Sequence, residues 1–213
     1  MKQKKCNQVS KEKDLKSEFL SVATKLFNKY GYHKTSMDDI AKSSHRAKRS
    51  LYNHFSGKEE LFESVIKQEL QMARNTLQRI FDHTGLLPSV KFTTYMVKRM
   101  ELLSQSLSYK VFLQNEFNND ISTRFVALKA ACADFDRWEK QNFLAIAKDI
   151  SVVMDQQSGF DPRAFADMVQ MIVKSLDVSF FVQNRYDEYH QTYQYMVNLI
   201  VESLVYRLTT NLK

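Results

Sequence analysis

Residues 36–55 read SMDDIAKSSHRAKRSLYNHF, and this stretch predicts two short helices joined by a tight turn. Ser36 followed by Asp39 has the pattern of an N-cap with an acid at the third helical position, so a helix of about two turns is expected to begin there. The polar run at 43–45 interrupts that helix, and the next one is predicted at about 47–54. Two helices joined by a turn of about three or four residues are the geometry that places the second helix in the major groove of DNA.

The second of these helices offers hydrogen-bond donors on its outward surface. Leu51 and Phe55 lie one turn apart and are expected to anchor the helix to its own domain. Four residues are left to face outward: Lys48, Arg49, Tyr52 and Asn53. Because Arg and Lys suit guanine or phosphate, Asn suits adenine and a Tyr hydroxyl suits phosphate, this face favours DNA as its partner.

The positive charge of the chain is concentrated around this helix pair. The net charge is +7, and residues 1–60 account for all of it, with fourteen Lys and Arg against seven Asp and Glu. Residues 61–213 are neutral, with seventeen of each sign. Such asymmetry predicts a basic module that meets a polyanion, followed by a neutral module with another task.

The composition predicts an all-α protein. The 213 residues include four Gly and two Pro, where average usage would give roughly 25, and β-hairpin turns depend on these residues. The two cysteines, Cys6 and Cys132, suggest neither a disulfide framework nor a thiolate metal site. No apolar run follows the N-terminal lysines, so neither a secretory leader nor a membrane span is expected, and a cytoplasmic location is predicted.

Helix-capping residues and breakers predict where the helices begin and end. Gly31 is expected to end the first helix, Ser56 to Glu59 has the pattern of a capping box, and Asp161-Pro162 has that of an N-cap followed by a first helical residue. The predicted helices cover about 11–29, 36–43, 47–54, 58–82, 88–104, 109–117, 121–156, 162–182 and 188–210.

The last two helices are candidates for a dimer interface. Residues 164–182 are apolar over most of the helix circumference, which predicts burial on more than one side. The candidate interface residues are Met168, Ile172, Phe180, Tyr193, Val197, Ile200 and Leu204. Periodicity alone leaves open whether another copy or the same chain covers these residues, since a buried helix does not reveal whose surface covers it.

Residues 16–66 contain a series of motifs in order: Phe27, Gly31-Tyr32, Thr35-Ser36-Met37, Asp39-Ile40-Ala41, Leu51-Tyr52-Asn53-His54-Phe55 and Lys58-Glu59-Glu60-Leu61-Phe62. In these motifs the segment resembles the N-terminal domain of the TetR family of bacterial transcriptional regulators. The resemblance implies a three-helix DNA-binding domain, then a divergent helical domain that binds a small inducer and forms a two-helix dimer interface. The predicted domains are a basic disordered tail at 1–10, the helix-turn-helix domain at 11–57 and the regulatory and dimerisation domain at 58–213.

The same resemblance assigns individual contacts with DNA. Thr35 and Ser36 are expected to touch phosphate at the start of the second helix. Phosphate contacts are also implied for Tyr52, His54 and Lys58, and contacts with base edges or backbone for Lys48, Arg49 and Asn53; Arg46 and Ser50 complete the candidate set. The alternative is that Tyr52 and His54 only pack and that Lys58 only begins a helix. The lysines at 2, 4, 5 and 11 would either contact DNA or belong to a solubilising tail.

The chain departs from the family pattern at the turn. Ser44-His45-Arg46-Ala47 replaces a common Ala-Gly, aliphatic, Ser or Thr pattern, and Arg49 occupies a frequent Gly position. A His at this turn can adopt the left-handed conformation, though less readily than Gly.

Aromatic and Met residues beyond position 85 could line a ligand site or simply form a core. The candidate ligand residues are Tyr95, Met96, Phe112, Phe135, Trp138 and Asn142. Asn142 lies on an apolar helix stripe, where its amide requires either a ligand or a neighbouring backbone carbonyl as a partner; the carbonyl is the preferred interpretation.

No catalytic pattern is visible, so neither an enzyme nor a cofactor is expected. The five histidines lack the spacings of zinc and di-iron sites, and no phosphate-binding or nucleophile motif is present. The sequence favours a cytoplasmic, homodimeric, TetR-like regulator that binds a pseudo-palindromic operator and responds to a small molecule, more as a repressor than as an activator. The alternative is a helical carrier of hydrophobic ligands, which would leave the short helix pair unexplained.

Overall fold

The computed structural model describes residues 2–117, 126–153 and 159–210, and these ranges contain helices and no strand. The prediction of an all-α protein is confirmed. The helices are α1 Lys2–Tyr30, α2 Met37–Ser43, α3 Lys48–Tyr52, α4 Lys58–Asp82, α5 Pro88–Gln105, α6 Leu107–Phe117, α7 Val126–Val153, α8 Pro162–Asp177 and α9 Tyr186–Thr210, with a π-helical turn at Val178–Val182. Across the described ranges, no helix is both long and apolar enough to span a bilayer.

Local capping residues set most helix ends where the sequence predicts them. The N–H of Gly31 donates to the carbonyl of Phe27 at 2.9 Å, and its φ of +82° ends α1. Pro88 occupies the first turn of α5, and the Asp161 carboxylate accepts from the backbone N–H of Arg163 at 2.8 Å at the start of α8. Each of these capping residues contacts backbone only a few residues away, so the helix ends can be predicted from the local sequence.

Two helix boundaries differ clearly from the predictions. The first helix begins at Lys2 rather than near residue 11, because no Gly or Pro interrupts residues 2–30; the backbone expected to be a disordered tail is therefore helical. The helix predicted to reach residue 182 changes to a π-helical turn at Val178, where Gln183 N–H donates to the Val178 carbonyl. The predicted helix at 121–156 is described over Val126–Val153, and its remaining residues lie outside the described ranges.

The N-terminal unit consists of α1–α3, Lys58–Glu69 of α4, α6 and residues 126–128 at the start of α7. Its core is aromatic and aliphatic and is almost free of solvent: Phe19, Phe27, Ile40, Leu51, Phe55, Phe62 and Val65 are buried, joined by Tyr109 and Phe112 of α6. Helix α1 packs against α2 and α6. This core fixes the short helices α2 and α3, which are too short to be stable alone.

The C-terminal unit consists of the rest of α4 and of α7 with α5, α8, the π-helical turn and α9. Aromatic rings hold it together: Tyr95 lies 5.2 Å from Phe143 and 4.7 Å from Phe81, measured between ring centres. The Tyr193 hydroxyl of α9 donates to the Met96 carbonyl of α5 at 3.1 Å. These compact units divide the chain at residue 69 and assign α6 to the first unit, whereas the domain boundaries predicted at 10 and 57 stay a prediction.

The turn between α2 and α3 closes in a Schellman motif with a histidine at the left-handed position. His45 has φ +53°, its N–H donates to the Lys42 carbonyl, and the N–H of Arg46 donates to the Ala41 carbonyl, both at 3.1 Å. His45 thus adopts the left-handed conformation that the sequence allows. Because a side chain at this φ strains the backbone, the turn stores free energy that a glycine would release.

The substitution His45→Gly should raise the free energy of unfolding by about 0.5–1 kcal/mol, since the released strain exceeds the chain entropy that glycine adds to the unfolded state. Urea denaturation followed by far-UV circular dichroism measures the change. The matched control is Gly31→Ala: an added Cβ would meet no atom within 4 Å there, so only its positive φ opposes the change, and stability should fall by about 1 kcal/mol. Unchanged stability of His45→Gly would contradict the assignment of strain.

Candidate nucleic-acid interface

Thr35 secures the junction between α1 and α2 from the inside. Its side chain is 2% exposed, and its hydroxyl lies 2.9 Å from the Gly31 carbonyl and 3.3 Å from the Leu26 carbonyl, to which it donates. The resemblance implied a phosphate contact for Thr35, but a buried hydroxyl that is already bonded to α1 cannot reach a phosphate. Thr35 therefore holds the start of α2 in place.

Ser36 forms the predicted capping box with Asp39. The Ser36 hydroxyl donates to Asp39 Oδ2 at 2.6 Å, the Ser36 N–H donates to the same oxygen at 3.0 Å, and the Asp39 N–H donates to the hydroxyl at 3.2 Å. These bonds, first that from the hydroxyl, lower the pKa of Asp39 below its ordinary value. The hydroxyl proton of Ser36 is thus committed to the helix start.

Helix α3 turns Leu51 inward and its polar residues outward, as the spacing predicts. Leu51 is 0% exposed and Phe55, just beyond the helix, is buried beside it. The residues on the opposite surface are exposed: Arg46, Lys48, Arg49, Tyr52 and Asn53, with Ser50 half-buried. Tyr52 is 44% exposed, so its ring and hydroxyl face solvent and not the core.

Two of the three cations near the turn are held by acids of the same unit. Lys48 Nζ lies 2.6 Å from Asp38 Oδ1, and Arg46 Nη2 lies 2.9 Å from Glu18 Oε2. The hydrogen bond to Asp38 raises the pKa of Lys48. Arg49 has no acidic partner within the part of the chain that the structure describes. The acids were missed from the sequence, because Glu18 lies 28 residues from Arg46.

His54 and Lys58 make packing contacts. The His54 ring lies 5.8 Å from the Phe19 ring, and Lys58 Nζ lies 4.3 Å from the centre of the Tyr32 ring. Both side chains are half-buried. His54 therefore packs against the core, as the alternative interpretation has it, and the ammonium of Lys58 lies on the face of an aromatic ring. Their contact with DNA stays a prediction.

The start of α4 uses a different acid from the one that the sequence predicts. The Ser56 N–H and hydroxyl both donate to Glu60 Oε2 at 2.7 Å, which lowers the pKa of Glu60, whereas Glu59 accepts from the Tyr32 hydroxyl at 3.2 Å. The capping box predicted with Glu59 is therefore wrong by one residue. The Tyr32 bond draws Glu59 away from Ser56.

Two further lysines of this unit line a surface groove between α1 and α2. Its volume is about 400 Å³, and it is lined by Leu26, Tyr30, Lys34, Thr35, Asp39, Lys42 and Ser43. Lys34 and Lys42 are exposed and lie on the same short segment as the capping box. The candidate set from the family motif omits both lysines, although the charge count over residues 1–60 includes them.

The residues proposed to line a ligand site form the aromatic core of the C-terminal unit, except one. Tyr95, Met96, Phe135 and Trp138 are buried in that unit, whereas Phe112 belongs to the core of the N-terminal unit. Asn142 Nδ2 donates to the Trp138 carbonyl at 2.9 Å, so a backbone carbonyl is the partner of this amide, as preferred from the sequence.

A buried ionic cluster joins α5, α7 and α8, and no pattern in the sequence marked it. Arg99 is 0% exposed; its Nε donates to Glu139 at 2.5 Å, and its Nη1 and Nη2 donate to Asp177 at 2.6 and 2.8 Å. The Tyr95 hydroxyl also donates to Glu139. Burial lowers the pKa of Arg99, but the nearby Asp177 and Glu139 outweigh it and raise that pKa well above the ordinary value. The pKa of Tyr95 is also raised well above its ordinary value, first by burial and then by the charge of Glu139. The cluster thus places one guanidinium between two carboxyl groups from different helices.

The candidate dimer residues fall into two groups. Phe180, Tyr193 and Val197 are buried within the C-terminal unit, so their assignment to an interface is wrong. The exposed members are Met168, Ile172 and Ile200, and three neighbours that were not predicted share their exposure: Met171, Met196 and Leu199. The side chain of Leu204 lies outside the described residues. Helix α9 thus has two apolar faces, one for its own core and one turned to solvent.

Comparisons with known proteins bear on both units. Residues 19–65 match the family model described as "Bacterial regulatory proteins, tetR family". The HTH-type transcriptional repressor KstR2 of Mycolicibacterium smegmatis is 31% identical over 101 residues, which are 47% of this chain and 49% of that protein. The biofilm operon icaADBC HTH-type negative transcriptional regulator IcaR of Staphylococcus aureus is 42% identical over 53 residues, 25% of this chain and 28% of that protein. The chain spans about half the length, or less, of these curated relatives.

Solved structures share the fold over most of the chain. A transcriptional regulator from Cytophaga hutchinsonii has a TM-score of 0.70 at 20% identity, covering 87% of this chain and 95% of that one. The transcriptional regulator FadR from Bacillus subtilis, in complex with stearoyl-CoA, has a TM-score of 0.63 at 17% identity, covering 90% and 98%. At these identities the likeness concerns the fold: a helix-turn-helix segment followed by a larger helical region.

Proposed function

Because residues 19–65 belong to the TetR family of bacterial regulatory proteins, we propose that this chain is a cytoplasmic, homodimeric transcriptional regulator that binds operator DNA and answers to a small molecule. The observation that carries the proposal is the exposed surface of α3, with Lys48, Arg49, Tyr52 and Asn53 facing solvent in the basic part of the chain. DNA binding is assigned to residues 11–57, and regulation and dimerisation to residues 58–213.

The proposed interface with DNA places α3 in the major groove. Lys48 and Asn53 have donors that suit guanine and adenine edges, and Arg49 and the Tyr52 hydroxyl suit phosphate oxygens. Lys58, on the face of Tyr32, is a candidate phosphate contact at the start of α4. Thr35 is assigned a structural task because its hydroxyl is bonded to α1.

The partner proposed for the exposed apolar faces of α8 and α9 is a second copy of this chain. Met168 is 62% and Leu199 is 47% exposed, and apolar neighbours one turn away on each helix share that exposure. A symmetric pair of helices from each copy would cover these faces with the same faces of the partner. Two recognition helices about 34–36 Å apart would then read the two halves of a pseudo-palindromic operator.

A charge on the exposed apolar face of α9 should dissociate this dimer. We expect Leu199→Glu to be mainly monomeric at concentrations where the wild type is dimeric, because two like charges would be buried at the interface. Analytical ultracentrifugation measures the mass. Gln194→Glu is the matched control, since Gln194 is exposed on the same helix away from that apolar face. A dimer of unchanged stability in Leu199→Glu would remove α9 from the interface.

Regulation is proposed to follow from unequal binding of a small molecule to two states of the dimer. A ligand shifts the population only by its difference in affinity between the DNA-competent and DNA-incompetent states. The proposed sign is repression relieved by the ligand. A carrier of hydrophobic ligands is not favoured, because the family match covers the DNA-binding segment.

The test is selection of bound sequences from random DNA by the purified protein at about 50 and 200 mM salt. We expect an enriched motif with two half-sites related by inverted symmetry. Enrichment of no sequence at either salt would overturn the proposed function.

A further inference from the structure

The ion pair between Lys48 and Asp38 joins the two helices of the helix-turn-helix motif. Lys48 is the first residue of α3, Asp38 lies in the first turn of α2, and their charged atoms are 2.6 Å apart. Both side chains are about half exposed, at 56% and 52%. Lys48 Nζ also lies 5.8 Å from the centre of the Tyr52 ring, so its position is set from two sides.

The ion pair with Asp38 is neutral as a whole, so Lys48 attracts distant DNA less strongly. The ammonium nevertheless keeps its hydrogen-bond donors. A lysine ammonium has three N–H donors, and one of them is used by Asp38. The remaining two can donate to acceptors on a base edge. A phosphate that approached the same ammonium would also approach the Asp38 carboxylate, and the repulsion between the two anions opposes that contact.

Arg49 provides the contrast within the same helix. It is exposed and has no acidic partner among the residues that the structure describes, so its charge is fully available to the DNA backbone. Attraction to phosphate supplies most binding to random DNA, whereas hydrogen bonds to base edges supply sequence preference. Because Lys48 is paired with an acid and Arg49 is not, Lys48 is suited to base edges and Arg49 to phosphate.

We propose that Asp38 is a specificity-determining, positioning residue that makes Lys48 a reader of base edges instead of a phosphate contact. The inference rests on the proposed DNA-binding function. Asp38 itself acts through Lys48: it cancels the charge that would strengthen binding to any sequence and orients the ammonium along the outer surface of α3.

The decisive variant is Asp38→Asn, which frees the lysine charge and keeps the size of the side chain. Two duplexes serve as probes: the sequence that the wild type selects from random DNA, and a scrambled duplex of the same length. Affinity for the scrambled duplex should rise about two- to fivefold, and its log–log salt slope should steepen by about 0.9 for each freed lysine that contacts a phosphate. Affinity for the selected duplex should rise less or fall, so the ratio of the two should drop about fivefold.

Three controls separate this mechanism from simpler ones. Asp14→Asn removes the same charge from an exposed position of the same unit that has no ion-pair partner in the described ranges, and it should leave both the salt slope and the ratio unchanged. Asp38→Glu retains the carboxylate and should restore most of the ratio. Adding Lys48→Met to Asp38→Asn should cancel the extra salt slope, and circular dichroism should show that α2 remains folded.

The outcomes distinguish the two proposals. A wild-type protein that selects no sequence overturns the function and the inference together. A selective wild type, with Asp38→Asn unchanged in both slope and ratio, overturns the inference and leaves the function standing. The inference also fails if Asp14→Asn reproduces the effect, because net charge would then explain it. The inference is supported if Asp38→Asn steepens the salt slope with the scrambled duplex and if adding Lys48→Met cancels that change.

Discussion

The substitution Arg99→Met should lower the free energy of unfolding by about 3–5 kcal/mol, because it leaves two buried acids without their base. The guanidinium is fully buried and pairs with both Glu139 and Asp177, which are 0% and 2% exposed. Without it, two acidic side chains lose their basic partner in the core, where an unpaired polar group is strongly unfavourable. Chemical denaturation of the full chain measures the loss.

An exposed arginine provides the control for this prediction. Arg137 pairs with Asp134 at 3.0 Å, but its side chain is 68% exposed, so Arg137→Met should change stability by less than about 1 kcal/mol. Adding Glu139→Gln and Asp177→Asn to Arg99→Met should recover part of the loss, because the unpaired charges are then gone. A loss in Arg99→Met no larger than that in Arg137→Met would show that the cluster is not a buried ionic contact in solution.

The double substitution Lys48→Ala with Arg49→Ala should reduce affinity for the selected operator at least about 100-fold. Each good side-chain contact to a base edge is worth about 1–3 kcal/mol, and a dimer loses every contact twice. The salt slope should decrease by roughly 2 per dimer, because Arg49 supplies a phosphate contact in each copy. Fluorescence anisotropy with labelled duplex at several salt concentrations measures both quantities.

A matched double variant removes the same charge from the C-terminal unit. Lys148 and Arg163 are exposed there, outside the proposed DNA-binding domain. Lys148→Ala with Arg163→Ala should bind operator within about twofold of the wild type, since neither residue belongs to the proposed DNA-binding domain. If the two double variants lost affinity equally, α3 would not be the reading surface.

Sequence predicted the features that depend on neighbouring residues. The capping box of Ser36 and Asp39, the glycine that ends α1 and the left-handed His45 are set within a few residues of themselves, and all three are present in the structure. The inward and outward faces of α3 follow from helical spacing alone. The family resemblance over residues 16–66 is confirmed by the match at 19–65.

Features that depend on distant residues escaped the sequence. Arg99 is separated from Glu139 by 40 residues and from Asp177 by 78, and no local pattern marks a charged residue as buried. The candidate interface mixed the two apolar faces of α9, because periodicity identifies an apolar residue without saying which surface it meets. Thr35 was misassigned for a related reason: a shared motif shows that a hydroxyl is needed but not whether it bonds to a phosphate or to its own backbone.

The ionic cluster also constrains how the C-terminal unit can move. Hydrogen bonds of 2.5 to 2.8 Å from one guanidinium reach two other helices, and sliding any of the three by about one ångström would break them where solvent does not compensate. We therefore expect a displacement of α5, α7 or α8 to strain the bonds that join it to the other two helices.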